Sequence, residues 1–72
     1  TGVSLDEALY YIHKGYALNV ITEDESMLVY AYDKSNVAYV SGENGFNTAK
    51  TELEKLIGLK NTVILVCNII KD

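Results

Sequence analysis

Few side chains in this sequence can do chemistry, and they are scattered. Cys67 is the single cysteine and His13 the single histidine among 72 residues. A nucleophilic thiol needs partial exposure and a positive neighbour to hold its thiolate. Cys67 instead lies inside the most apolar run of the chain, Val63 to Ile70, which predicts a buried, unreactive residue. His13 falls near the end of a predicted helix, where a cation interacts favourably with the helix dipole. One His and one buried Cys do not supply the three or four converging ligands of a metal centre.

The carboxylates come in two groups. Asp6 and Glu7 suit a helix N-terminus, where negative charge is stabilised. Glu23, Asp24 and Glu25 read as a solvated turn. They lack the alternating spacing of a calcium loop. Gly42 and Gly45 bracket a loop, but no dinucleotide fingerprint or phosphate-cradling Gly-Lys motif accompanies them. The expectation is therefore no catalytic residue, no cofactor and no metal.

Six of the seven aromatic residues are tyrosines. Tyr30, Tyr32 and Tyr39 fall on two predicted neighbouring strands. Residues two apart on a strand share a face, which puts Tyr30 and Tyr32 together, with Met27, Val29 and Ala31 on the opposite side. Tyrosine suits interfaces because its ring is apolar and its hydroxyl stays wet. The Tyr30/Tyr32/Tyr39 face is accordingly the expected interaction surface. Its expected occupant is a peptide or protein partner, a second copy of the chain, or the remainder of a parent protein.

The elements that position these residues follow from periodicity. Ser4 and Glu7 form a capping box, and Val3 can staple onto Ala8. Leu5, Ala8, Leu9 and Ile12 recur at helical spacing, and Lys14-Gly15 closes the helix. Strands are predicted at about Tyr16–Thr22, Met27–Tyr32 and Val37–Ser41, separated by polar turns as in an antiparallel meander. Gly42 to Gly45 is read as a loop. Phe46 then leads into a second helix, capped near Asn47 or Thr48, with Ala49, Leu53, Leu56 and Ile57 on its apolar face and Gly58 at its end. The final strand, Val63–Ile70, is apolar on both alternations and is therefore expected at the centre of the sheet. On that placement Leu65→Ala would cost about 2–5 kcal/mol. The fold class is α+β: a small antiparallel sheet of about four strands with two helices, in the order α-β-β-β-α-β.

The whole chain sets the bounds. Its length allows one domain, residues 1–72. An opening at Thr1-Gly2 reads as a piece cut from a longer protein. Hydrophobic residues make up 49% of the sequence, too many for a disordered segment. A net charge of −4, with no basic run, argues against nucleic acid and against an anionic membrane surface. The longest apolar run is far below the roughly 20 residues a membrane span needs. One cysteine permits no internal disulfide and does not fix the compartment.

The succession Ser4-Leu5-Asp6-Glu7-Ala8-Leu9, Lys14 to Val20, Leu28-Val29-Tyr30-Ala31-Tyr32-Asp33 and Asn36-Val37-Ala38-Tyr39-Val40, followed by helix Thr48–Ile57 and strand Val63–Val66, resembles the C-terminal half of a C39-like, papain-like cysteine peptidase domain. The resemblance implies a histidine position at Glu25 or Ser26 and an acidic position at Gly42 or Glu43. The cysteine-bearing half has no counterpart here. A thiol works only with an imidazole to take its proton and a third group to orient that imidazole, so the resemblance implies a degenerate site. It then points to a non-catalytic peptide-binding or interaction module. Two other readings follow from the same residues: the C-terminal part of a peptidase whose active residues lie in a missing N-terminal half, or a structural domain of a larger protein.

Overall fold

The computed structural model describes residues 3–68. Helix α1 spans Leu5–His13 and begins as its sequence dictates. Ser4 Oγ accepts the Glu7 backbone N–H at 3.2 Å, and the Glu7 carboxylate accepts the Ser4 N–H at 3.3 Å. Gly15, at φ 99°, makes the left-handed step that turns the chain into strand β1, Tyr16–Ile21. Strands β2 (Ser26–Tyr32), β3 (Asn36–Ser41) and β4 (Asn44–Ala49) follow, then helix α2 (Lys50–Ile57) and strand β5 (Val63–Asn68). The result is one antiparallel five-stranded sheet, ordered β4-β3-β2-β1-β5, in an α+β fold.

Both helices lie on one face. α1 packs over β1 and β2, and α2 over β3 and β4. Between helices and sheet sits the core: Ala8 and Ile12 of α1, Leu53 and Ile57 of α2, and Leu18, Val20, Met27, Val29 and Val37 from the strands. Val3, Leu5, Leu9, Leu56 and Ile64 close its margins. The apolar helix faces expected from periodicity are the buried ones.

Several expectations are corrected. The segment read as a loop entering a helix is strand β4, paired with β3 from Asn36↔Ala49 to Ser41↔Asn44. Gly42 and Glu43 are a two-residue hairpin turn, and Gly42 adopts φ 64°, the positive φ that a Gly-X turn of this length requires at its first position. α2 therefore starts at Lys50 behind Ala49, with no side-chain cap from Asn47 or Thr48. The element order is α-β-β-β-β-α-β.

The last strand is not central. β5 pairs only with β1 and forms an edge of the sheet. Val63, Leu65 and Val66 are each about half exposed. Residues 69 and 70, which the expected strand included, lie outside the described residues. β1, flanked by β2 and β5, is the more buried strand: Leu18 and Val20 are buried under the helices, and Ala17 is buried on the other face. Leu65, 50% exposed, is not the core leucine on which that cost was reckoned, and Cys67 is half-buried rather than buried.

Tyr30 and Tyr32 do not share a face. The β2–β3 register steps from Val29↔Tyr39 to Ala31↔Ala38, so β2 carries one extra residue, Tyr30, at a β-bulge. A bulge breaks the period of two. Tyr32 thereby comes opposite Val37, on the helix side, where Lys50 Nζ lies 4.9 Å from its ring centroid. Ala31 is turned to the open side instead.

Candidate interaction surface

Pairing registers define the face that no helix covers. Leu18, Val20, Met27, Val29 and Val37 point to the helices, so their strand neighbours point away. Leu28 lies between Val40 on β3 and Asn19 on β1, and Asn19 faces Leu65 on β5. Beside that row, Ile21 faces Val63 and Ser26. On the other flank Ala17 faces Cys67, and Tyr30 and Ala31 sit against Ala38. Leu28 (39%), Tyr30 (45%), Val63 (51%) and Leu65 (50%) are the exposed apolar side chains of this open face. One polar contact crosses it: Ser26 Oγ donates to Asn19 Oδ1 at 2.9 Å.

Of the three tyrosines expected to form one surface, only Tyr30 belongs to the open face. Tyr39 packs against the core on the helix side and stacks on Phe46, its partner across β3 and β4, at 5.4 Å between centroids. Leu28, Val63 and Leu65 were missed as surface residues. The available signal was a strand apolar on both alternations in a fold with only two short helices to cover it.

The positions that the peptidase resemblance assigns to a histidine and an acid are brought together. Ser26 begins β2 and Ser41 ends β3, and Ser41 Oγ donates to the Ser26 carbonyl at 3.1 Å. Glu25 and the Gly42-Glu43 turn flank that contact. None of these residues supplies an imidazole. His13 stands at the opposite end of the sheet, because α1 ends where β1 begins and Ile21, the far end of β1, is what pairs with Ser26. Cys67 lies on β5 opposite Ala17, and its thiol reaches the Leu65 carbonyl at 3.8 Å. No group of three or more His, Cys, Asp or Glu able to hold a metal occurs among the described residues.

A groove of about 260 Å³ opens beside the acidic turn, lined by Thr22 to Glu25, Leu56 and Leu59 to Thr62. The turn itself is built by Thr22: its peptide N–H donates to the Glu25 carbonyl at 2.8 Å, and its hydroxyl accepts the N–H groups of Asp24 and Glu25 at 3.2 and 3.1 Å. Asn61 Nδ2 donates to the Glu23 carboxylate and ties the turn to the segment that leads into β5. The hydroxyl of Thr62, which also lines the groove, is buried without a hydrogen-bond partner among the described residues. Asp33 shapes the β2–β3 turn in a related way. Its carboxylate accepts the N–H groups of Asn36 and Ser35 at 2.8 and 2.9 Å, which hold its pKa below the ordinary 3.8, with Lys50 adding to the effect.

Comparison with protein-family models, with curated proteins and with solved structures found no match to this chain. No helix among the described residues is long and apolar enough to cross a membrane.

Proposed function

We propose that this chain is a non-catalytic interaction module, arranged like the C-terminal half of a degenerate C39-like peptidase domain, whose open sheet face receives an apolar peptide or protein surface. The observation that carries the reading is the apolar open face itself. Leu28, Tyr30, Val63 and Leu65 stand exposed there while both helices cover the other side. Contiguous apolar surface on a small domain marks interaction sites more often than not. The scattering of Cys67, His13 and the carboxylates supports the non-catalytic half of the reading, since a thiol–imidazole pair must lie within hydrogen-bond reach.

A displayed peptide library, selected on the purified chain, tests both halves. The expected outcome is enrichment of apolar sequences, no cleavage of the selected peptides, and loss of binding in a Leu28→Lys, Tyr30→Ser double variant that keeps its circular dichroism spectrum. Binding that survives the double variant, or hydrolysis of the peptides, would defeat the proposal.

A further inference from the structure

β5 is an edge strand without the usual defences. Edge strands are ordinarily blunted by lysines, prolines, bulges or a covering element, because their free N–H and C=O groups template pairing with another chain. The sequence Val63-Ile64-Leu65-Val66-Cys67-Asn68 carries no charge and no proline, and its ladder with β1 runs without a bulge from Tyr16↔Asn68 to Ile21↔Val63. It is half exposed on both sides: Val63 and Leu65 on the open face, Val66 on the helix side, where α1 lies over β1 and β2. The opposite edge, β4, reads Asn44-Gly45-Phe46-Asn47-Thr48-Ala49, poorer in β-forming residues, with Phe46 and Thr48 as its β-formers.

Charge is distributed along the strand axis. Among the described residues, Asp6, Glu7, Glu23, Asp24, Glu25, Glu43 and Glu54 gather toward the end of the sheet where β1 finishes and β5 starts, against Lys55 and Lys60. At the other end stand Lys14, Lys34 and Lys50, against Asp33 and Glu52, and of these Lys14 is the one that precedes β1, next to β5. The molecule is thus negative at one end of β5 and positive at the other.

We infer that the β5 edge pairs with the β5 edge of a second copy, antiparallel about a two-fold axis, to make one continuous ten-stranded sheet. A two-fold contact must be self-complementary, since the same patch serves both subunits. β5 meets that condition: antiparallel pairing with itself opposes only apolar and amide side chains. The same operation sets the negative end of each copy beside the positive end of the other, twice. With Leu65 opposite Leu65 of the partner copy, so that paired side chains share a face, the end of β1 and the start of the second β1 lie three strand spacings apart, about 14 Å. Extended Lys and Glu side chains shorten that gap to within the screening length of about 8–10 Å at ordinary salt. A foreign strand could satisfy the backbone, but only a second copy supplies both charge pairings from the residues present. The inference goes beyond the proposed binding role, because pairing along the edge leaves both open faces free and joins them into one surface.

Sedimentation equilibrium of the purified chain across concentration and salt tests this. The expected result is a reversible dimer that weakens as salt rises. Leu65→Lys, at a half-exposed position that tolerates the charge, brings two lysines together at the axis and is expected to give a monomer with an unchanged circular dichroism spectrum. Lys14→Glu alone, and Asp24→Lys with Glu25→Lys, should each weaken the dimer about tenfold or more, and combining all three should restore it. A monomer at every concentration up to about 1 mM, a dimer indifferent to Leu65→Lys or to Lys14→Glu, or a combined variant that fails to recover would overturn the inference. Failure of the peptide-binding reading is scored separately: a monomer that still binds selected peptides through Leu28 and Tyr30 loses only the dimer.

Discussion

Replacing Leu53 by Ala, with Leu65→Ala as the paired control, measures where the core lies. Leu53 on α2 is fully buried, in contact with a cluster drawn from both helices and three strands, while Leu65 on β5 is 50% exposed. The two substitutions delete the same three carbons, worth about 2.4 kcal/mol at roughly 0.8 kcal/mol per buried methylene. At position 53 the whole of that transfer term is lost, and a cavity between α2 and the sheet adds to it, giving about 3–5 kcal/mol. At position 65 about half of the transfer term applies and no enclosed cavity is left, so the cost is about 1 kcal/mol. A domain of this length has a total stability of about 4–11 kcal/mol, so Leu53→Ala takes away a large share of it. Urea unfolding followed by circular dichroism gives both midpoints, and an unchanged slope shows that the difference lies in stability rather than in compactness. The reasoning is refuted if Leu65→Ala costs as much as Leu53→Ala, for that would require β5 to be covered on both faces.

Thr62→Val is expected to hold or raise stability, by about 1 kcal/mol at most, because it replaces a buried hydroxyl that has no partner by a methyl of similar shape; a clear drop in the urea midpoint would mean that the hydroxyl is bonded. Asp33 has a lowered folded-state pKa, so its contribution is fully present above the ordinary carboxylate value and fades as pH falls through the lowered one. Asp33→Ala should therefore reduce stability at neutral pH and flatten the acid side of the stability–pH curve below about pH 4, and an acid limb identical to the wild type would show that the turn hydrogen bonds from Ser35 and Asn36 do not matter.

Local rules read well wherever one short stretch decides the outcome. Ser4 and Glu7 cap α1 from within four residues, Gly15 ends it, and Thr22 and Asp33 close their turns by bonding their own neighbours. β4 escaped because Asn44-Gly45-Phe46-Asn47-Thr48 has little intrinsic strand preference; its conformation is imposed by pairing with β3 across the Gly42-Glu43 turn. The Gly-X pair was legible as a hairpin signal, but the adjacent Asn-Gly competes with it for the same role.

The two errors that bear on function share a cause: each took a period of two as sufficient to place a side chain in three dimensions. A bulge at Tyr30 reverses the alternation for the rest of β2, and a single inserted residue sends Tyr32 to the helix side. No composition rule announces that step, which depends on how β2 and β3 must twist against each other. For β5 the pattern was read correctly and its meaning was not. Apolar residues on both alternations state that a strand has two surfaces suited to burial. They do not state that this chain supplies the cover. Here α1 and α2 lie over β1 to β4, and β5 extends beyond them with Val63, Leu65 and Val66 half exposed and its outer backbone unpaired among the described residues. A pattern that signals a central strand is satisfied at the edge of this sheet only if the sheet continues. The uncharged, self-complementary β5 edge and the opposite charges at its two ends are what such a continuation through a second copy requires.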